Sequence, residues 1–367
     1  MTDAAARVER LRAGMAELEL DAVVVTADAS IRHLSGFSLA RGERATASWS
    51  GTLLITADQA LICADPRYAE QAVAEAPAFE LVASGQRRIH QLLPELLVER
   101  GALHVGLESE AISHADASRI AEVAPGLELI HADRLLARLR IVKTEAEVAA
   151  IERAAAVGDA GFDHLLTWIV PGMTEREVAW ELEAWLRTNG AEALAFDPLV
   201  LAGPRAAMPH GRPSDAVIEA GNVLLLDFGA QVDGYRSDMT RTLFIGHVPA
   251  EISELHALVR AAQQAAIDAV RPGVIGTAVD AAAREVIAAA GQGAAFSHGL
   301  GHGIGLETHE DPFLLHFDEP LTEGMVFSIE PGIYLPGVTG IRIEDLVVVE
   351  EGGARLLTHA PREPIVL

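Results

Sequence analysis

Asp227, Asp238, His302, Glu330 and Glu344 each sit in a segment of unusual local chemistry: LLLDFGAQVDGYRSDMTRT (224–242), FSHGLGHGIGLETHEDP (296–312) and FSIEPGIYLPGVTGIRIED (327–345). Four carboxylates and one imidazole make a mostly oxygen donor set. Such a set suits hard or borderline divalent ions such as manganese better than soft ones. The chemistry this predicts is hydrolysis at two metal ions.

Elements that could bring the five together are legible nearby. VLLLDFGAQ reads as a buried strand, Asp233-Gly234 as a two-residue hairpin turn, and YRSDMTRTLF as the returning strand. With Val232 facing Tyr235, Asp227 falls opposite Thr240 and Asp238 opposite Gly229, so both aspartates share one face as diagonal neighbours. A slip of one residue would put them on opposite faces. If MVFSIE and GIRIEDLVVV pair antiparallel around a loop centred near Gly337, Glu330 and Glu344 lie directly opposite each other. One aspartate in an apolar strand is ordinarily a hydrogen-bonded structural residue. Four carboxylates in buried strands are different, because gathering them without cations costs several kcal/mol per charge.

In order and motif the chain resembles the M24 metallopeptidases with the pita-bread fold. The matching segments are MPHGRP with His210, DFGAQVDGYRSD, HGLGHGIGLETHE, SIEPGIY and GIRIED. Within that family it is most similar to the Xaa-Pro peptidases, prolidase and aminopeptidase P. The resemblance implies that Asp227 and Asp238 each give two oxygens to metal, with Asp238 bridging. His302 and Glu330 would bind one ion and Glu344 both. Two divalent ions, manganese first and cobalt or zinc as alternatives, would share a bridging hydroxide and polarise the scissile carbonyl. Glu330 is the expected general base and later proton donor, with His210 and His309 stabilising the oxyanion.

Around this centre the resemblance places His210, His298 and His309 in the cleft, where neutral imidazoles could hydrogen-bond a carbonyl. Gly299, Gly301, Gly303 and Gly305 make a long helix unfavourable and let the backbone approach metal and substrate. A dipeptidase must hold a carboxylate directly after proline, and a guanidinium does so with both forks. Arg342 matches a family position on the proline side, and Arg41 and Arg44 in SLARGERATASWSG (38–51) are further candidates for substrate binding. Phe196 and Tyr334 could pack around proline. Arg205 stands where relatives often carry a smaller polar residue, and so could alter the N-terminal subsite.

The expected activity is therefore metal-dependent hydrolysis of the Xaa-Pro bond at a peptide N-terminus, with Xaa-Pro dipeptides as first choice and aminopeptidase P action on longer peptides as the alternative. Methionine aminopeptidase shares the ligands but usually lacks so large an N-terminal domain. Creatinase-type enzymes share both domains but not the metal set. An inactive interaction module is a third rival, and such proteins typically lose ligands.

A formal charge of −25 argues against nucleic-acid or anionic membrane partners, since both need clustered cations. The single Cys63 excludes an internal disulfide and suits a reducing compartment. No apolar run is long enough for a signal core or a membrane span, so a cytoplasmic enzyme is expected.

The pattern from 1 to 137 alternates helix and strand and reads as an α/β domain, creatinase-like by resemblance. That domain would restrict the cleft and support a homodimer. Residues 138–367 would form an α+β pita-bread catalytic domain. Thr144 with Glu147 and Thr174 with Glu177 are capping boxes that open two of its helices, further helical runs cover 251–271 and 277–290, and the join is expected as a loop around Arg138 to Lys143.

Overall fold

The computed structural model describes residues 3–39, 49–85 and 87–367, which cluster into two compact units, Met1–Arg140 and Ile141–Leu367. Arg41 and Arg44 lie outside the described residues.

In the first unit, α1 (Asp3–Glu17), β1 (Ala22–Val25), α2 (Asp28–Ser35), β2 (Leu53–Thr56), β3 (Ala60–Ala64), α3 (Ala69–Glu75), β4 (Glu80–Ala83), α4 (Ile89–Glu99), β5 (His104–Leu107), α5 (His114–Val123), β6 (Glu128–His131) and α6 (Asp133–Ile141) follow in order. The strands form a mixed sheet ordered β4-β3-β2-β1-β5-β6. Successive side chains of a strand point to opposite faces, and the apolar run AVVV fills both. Val23 and Val25 join a core with Leu11, Ile31 and Leu136, while Ala22 and Val24 join another with Leu92, Leu93 and Ile120. Helices therefore cover both faces of the sheet. Of the join expected as a loop around Arg138 to Lys143, the part up to Ile141 is the last turn of α6, and only Val142 and Lys143 lie outside a helix.

The second unit opens on α7 (Glu145–Trp168) and α8 (Glu175–Thr188). Both begin at the expected capping boxes, with Thr144 and Thr174 each accepting from the backbone N–H three residues on while Glu147 and Glu177 reach back. Then come β7 (Ala193–Leu194), β8 (Leu199–Ala202), β9 (Val223–Phe228), β10 (Ala230–Val232), β11 (Tyr235–Arg236) and β12 (Met239–Phe244). After α9 (Ala250–Ala269) and α10 (Gly276–Ala289) follow β13 (Val326–Ile329), β14 (Gly332–Leu335), β15 (Thr339–Arg342), β16 (Asp345–Glu350), β17 (Gly353–Leu356) and β18 (Ile365–Val366). One core packs α7 and α8 on Leu224, Leu226 and Phe228 of β9. Another packs α9 and α10 on Phe327, Ile329, Ile333 and Ile341.

The predicted registers hold. Val232 pairs with Tyr235 and Thr240 with Asp227. Asp233 and Gly234 take positive φ of 51° and 77°, as a hairpin of this type requires. Ile329 pairs with Asp345 and Gly332 with Arg342, which sets Glu330 opposite Glu344. The strands themselves are more broken than expected. The first is interrupted at Gly229, where a Cβ would collide with the Ser237 carbonyl, and the returning strand is interrupted at Ser237 and Asp238. The later hairpin divides into two ladders at the glutamates.

Candidate active site

Because Leu224, Leu226 and Phe228 face the helical core, Asp227 points to the opposite face of β9, the face shared by Asp238 and Thr240 across the ladder. A cleft of about 630 Å³ opens there, lined by Asp227, Asp238, His302, Glu330 and Glu344 together with His210, His298, His309, Phe196 and Arg342. All five expected donors thus meet in one cavity.

Asp238, His302 and Glu344 each present a donor atom, and these atoms lie within 4.8 Å of one another. His302 is buried, and its Nδ1 lies 3.0 Å from the Gly303 carbonyl. A proton on Nδ1 satisfies that carbonyl and leaves the Nε2 lone pair for a ligand. Nε2 is 3.3 Å from Glu330 Oε1 and 3.8 Å from Asp238 Oδ2. The Ser328 hydroxyl, 3.0 Å away, donates to the same Glu330 oxygen and accepts from the His302 backbone N–H at 3.0 Å. Thr240, fully buried, donates to Glu344 Oε2 at 2.7 Å.

The remaining carboxylate oxygens identify what the cluster is built for. Asp227 Oδ1, Asp238 Oδ1 and Glu344 Oε1 are buried without a hydrogen bond, an arrangement that is costly unless a cation takes the lone pairs. Burial first, then Glu344, Asp227 and Glu330, push Asp238 well above the usual carboxylate range. Glu344 is likewise raised well above it by burial and by Glu330 and Asp227, and Asp227 is raised by burial against the opposing pull of Arg342. Burial also works against ionisation of Glu330, but the hydrogen bond and charge of His302 outweigh it and hold this acid at about 2. These shifts mark carboxylates whose charges are costly to gather, a cost that divalent cations would offset. The residues present therefore fit a divalent metal.

The histidines and arginine fall into two groups. The His309 ring lies against that of His302, tilted at 46° with centroids 4.1 Å apart, and burial, helped by the His302 charge, lowers its pKa to about 4, so it is neutral at pH 7. His298 lines the cleft with both ring nitrogens engaged. Nδ1 is 2.7 Å from the Gly299 carbonyl and Nε2 is 2.9 Å from the Tyr334 hydroxyl. Tyr334 is not a lining residue. Its hydroxyl accepts from Arg342 Nη1 at 2.7 Å, so its polar end is engaged by a lining residue. Arg342 is equally committed: Nη2 pairs with Asp227, and Nε donates to Thr240 Oγ1 at 3.0 Å. It supports the ligand cage more directly than it offers a guanidinium to substrate.

Arg205 also turns away from the cleft. Its Nε pairs with Glu175 at 2.9 Å, and Glu175 is wholly buried at the start of α8. Glu175 also accepts from the Ala202 and Ser214 backbone N–H groups and the Ser214 hydroxyl at 2.7 to 2.9 Å. This clasp ties down the segment that carries His210, and reading the sequence missed it because Glu175 looks like an ordinary first-turn acid. Thr240 was missed as well, although its place opposite Asp227 was the available signal. Within HGLGHGIG, Gly301 and Gly303 let backbones meet, since a Cβ there would collide with the Ser328 and Asp311 carbonyls. Among the described residues no helix is long and apolar enough to cross a membrane.

Comparison with known proteins agrees with this geometry. Residues 149–351 match metallopeptidase family M24, and residues 7–142 match the creatinase/prolidase N-terminal domain. The Xaa-Pro dipeptidase of Pyrococcus furiosus is 35% identical over 97% of this chain and 99% of its own length. Among solved structures, an Xaa-Pro dipeptidase from Bacillus anthracis superposes with a TM-score of 0.93 at 36% identity, covering 99% of this chain and 100% of that one. An X-Pro aminopeptidase from Thermotoga maritima gives 0.88 at 38% identity, covering 98% and 99%. The pita-bread unit with its buried donors, preceded by a creatinase-type unit, makes this chain a member of metallopeptidase family M24.

Proposed function

We propose that the chain hydrolyses the bond before proline at a peptide N-terminus, with Xaa-Pro dipeptides preferred. The observation that carries this reading is the set of orphaned buried carboxylate oxygens facing His302 and Glu330 inside a cleft of peptide size. Full-length similarity to Xaa-Pro dipeptidases supports it.

Asp227, Asp238, His302, Glu330 and Glu344 would hold two divalent ions, manganese first and cobalt or zinc as alternatives, which when bound supply a Lewis acid for the scissile carbonyl and lower the pKa of water. Glu330, held in its ionised form by His302 and oriented by Ser328, takes a proton from the attacking water and returns it to the departing proline nitrogen. His309, neutral at pH 7, donates to the developing oxyanion together with His210. Phe196 offers the proline ring an apolar wall, while His298 presents its ring edge. The carboxylate-rich end receives the free amine, which restricts cleavage to an N-terminus.

The reading includes a homodimer in a reducing, cytoplasmic setting. The latter is supported by the lone cysteine, Cys63, which is free and buried, and light scattering tests the former. The decisive experiment is turnover of Ala-Pro against Ala-Pro-Ala by metal-stripped protein given Mn, Co or Zn in turn. Preference for the dipeptide is expected. Preference for the tripeptide assigns aminopeptidase action instead, and no turnover of either peptide with any ion overturns the reading.

A further inference from the structure

Resting on that reading, we propose that Arg212 receives the C-terminal carboxylate of the dipeptide substrate and so sets the preference for substrates that end at proline.

A dipeptide brings its own carboxylate into a cleft already lined by the four acids of the ligand set, on a chain of formal charge −25. Unless a cation meets it, that group is repelled. Among the described residues, two arginines and no lysine line the cleft, Arg342 and Arg212. Arg342 is consumed by Asp227, Tyr334 and Thr240, as described above, and turning it toward substrate would strip the cage of its support. Arg212 is exposed and has no ion pair or side-chain hydrogen bond among the described residues. It does not pair even with Asp197, the acid that lines the cleft outside the ligand set. A guanidinium in this state can offer both forks to an incoming carboxylate.

Its backbone is held while its side chain is left free. The Arg212 carbonyl accepts from Arg205 Nη2 at 2.7 Å, and Arg205 is in turn fixed by the buried Glu175. Two residues away His210 lines the same cleft, and Pro213 on the other side limits the backbone. The clasp noted above therefore anchors the short segment that presents His210 and Arg212 together.

The test compares Ala-Pro with Ala-Pro-amide, which differ only in the terminal charge, using the full-length, metal-loaded protein. In wild type, kcat/KM should favour the free acid. In Arg212→Ala that preference should fall by roughly ten- to a hundredfold, the loss expected for a charge-assisted hydrogen-bond pair, with the change carried by KM. Arg212→Lys should restore part of it, and Arg212→Glu should reverse it in favour of the amide. An acid-to-amide ratio that is the same in wild type, Arg212→Ala and Arg212→Glu overturns the assignment while leaving Xaa-Pro hydrolysis intact. A wild type that cleaves neither peptide refutes the proposed function itself, and this inference with it.

Discussion

Thr240→Val tests whether the ligand cage depends on a residue that touches no metal. The hydroxyl of Thr240 is fully buried, donates to Glu344 Oε2 at 2.7 Å and accepts from Arg342 Nε at 3.0 Å. Valine has nearly the same shape, so the change removes two hydrogen bonds without opening a cavity. Each bond involves a charged group, for which about 1.5–3 kcal/mol is typical, and buried partners left unpaired add to the loss. Some relaxation is available, because Arg342 keeps Asp227 and Tyr334. A net loss of about 2–4 kcal/mol in the metal-free protein follows, measured by urea unfolding. Metal affinity should fall about ten- to a hundredfold, since Glu344 loses the group that orients it. Thr240→Ser keeps the hydroxyl and should lose only about 1 kcal/mol of packing, with affinity near wild type. Metal titration by calorimetry reads the difference. If Val and Ser variants bind metal equally well, the hydroxyl does not order the cage and the argument fails.

Glu175→Gln should cost about 2 kcal/mol, because it removes the anion that holds Arg205 and Ser214. It should lower turnover while bound metal, assayed by elemental analysis, stays at the wild-type level; a fall in metal content would show that the clasp does more than place the His210 segment. Lys143→Met takes the cation from the buried Glu310 carboxylate, 2.8 Å away, for an expected loss of about 3–5 kcal/mol. Adding Glu310→Gln should recover much of it, and a double variant no more stable than the single one would contradict the ion-pair account. His256 is buried, and burial first, then Arg260 and Arg241, depress its pKa to about 4. A folded pKa below the unfolded value near 6.5 means that its contribution is complete above pH 6.5 and is lost as pH falls toward 4. Between pH 8 and pH 5 the wild type should therefore lose about 2 kcal/mol more than His256→Gln. A stability difference between the two proteins that does not change with pH would exclude this source.

Much of the centre was legible along the chain because hairpins are local. The Asp-Gly turn sets the pairing of Asp227 with Thr240, and the loop around Gly337 sets Glu330 opposite Glu344. Strand alternation then dictates which face each carboxylate takes. Capping boxes at Thr144 and Thr174 marked two helix starts for the same reason, since a cap is written within four residues. The breaks at Gly229 and beside the glutamates were not legible, because they answer to a neighbouring backbone rather than to local propensity.

Residue types and short-range spacing by themselves determined the donor set, its two same-face pairs and the class of ion it suits. Tertiary structure alone decided how each polar group is used. Arg342 turns to Asp227 and Thr240, more than a hundred positions away, the Tyr334 hydroxyl is taken up by Arg342 and His298, and Glu175 reaches across to Ser214. The physical reason is desolvation: a buried charge must find a partner wherever the fold brings one, and periodicity in a sequence carries no record of that choice.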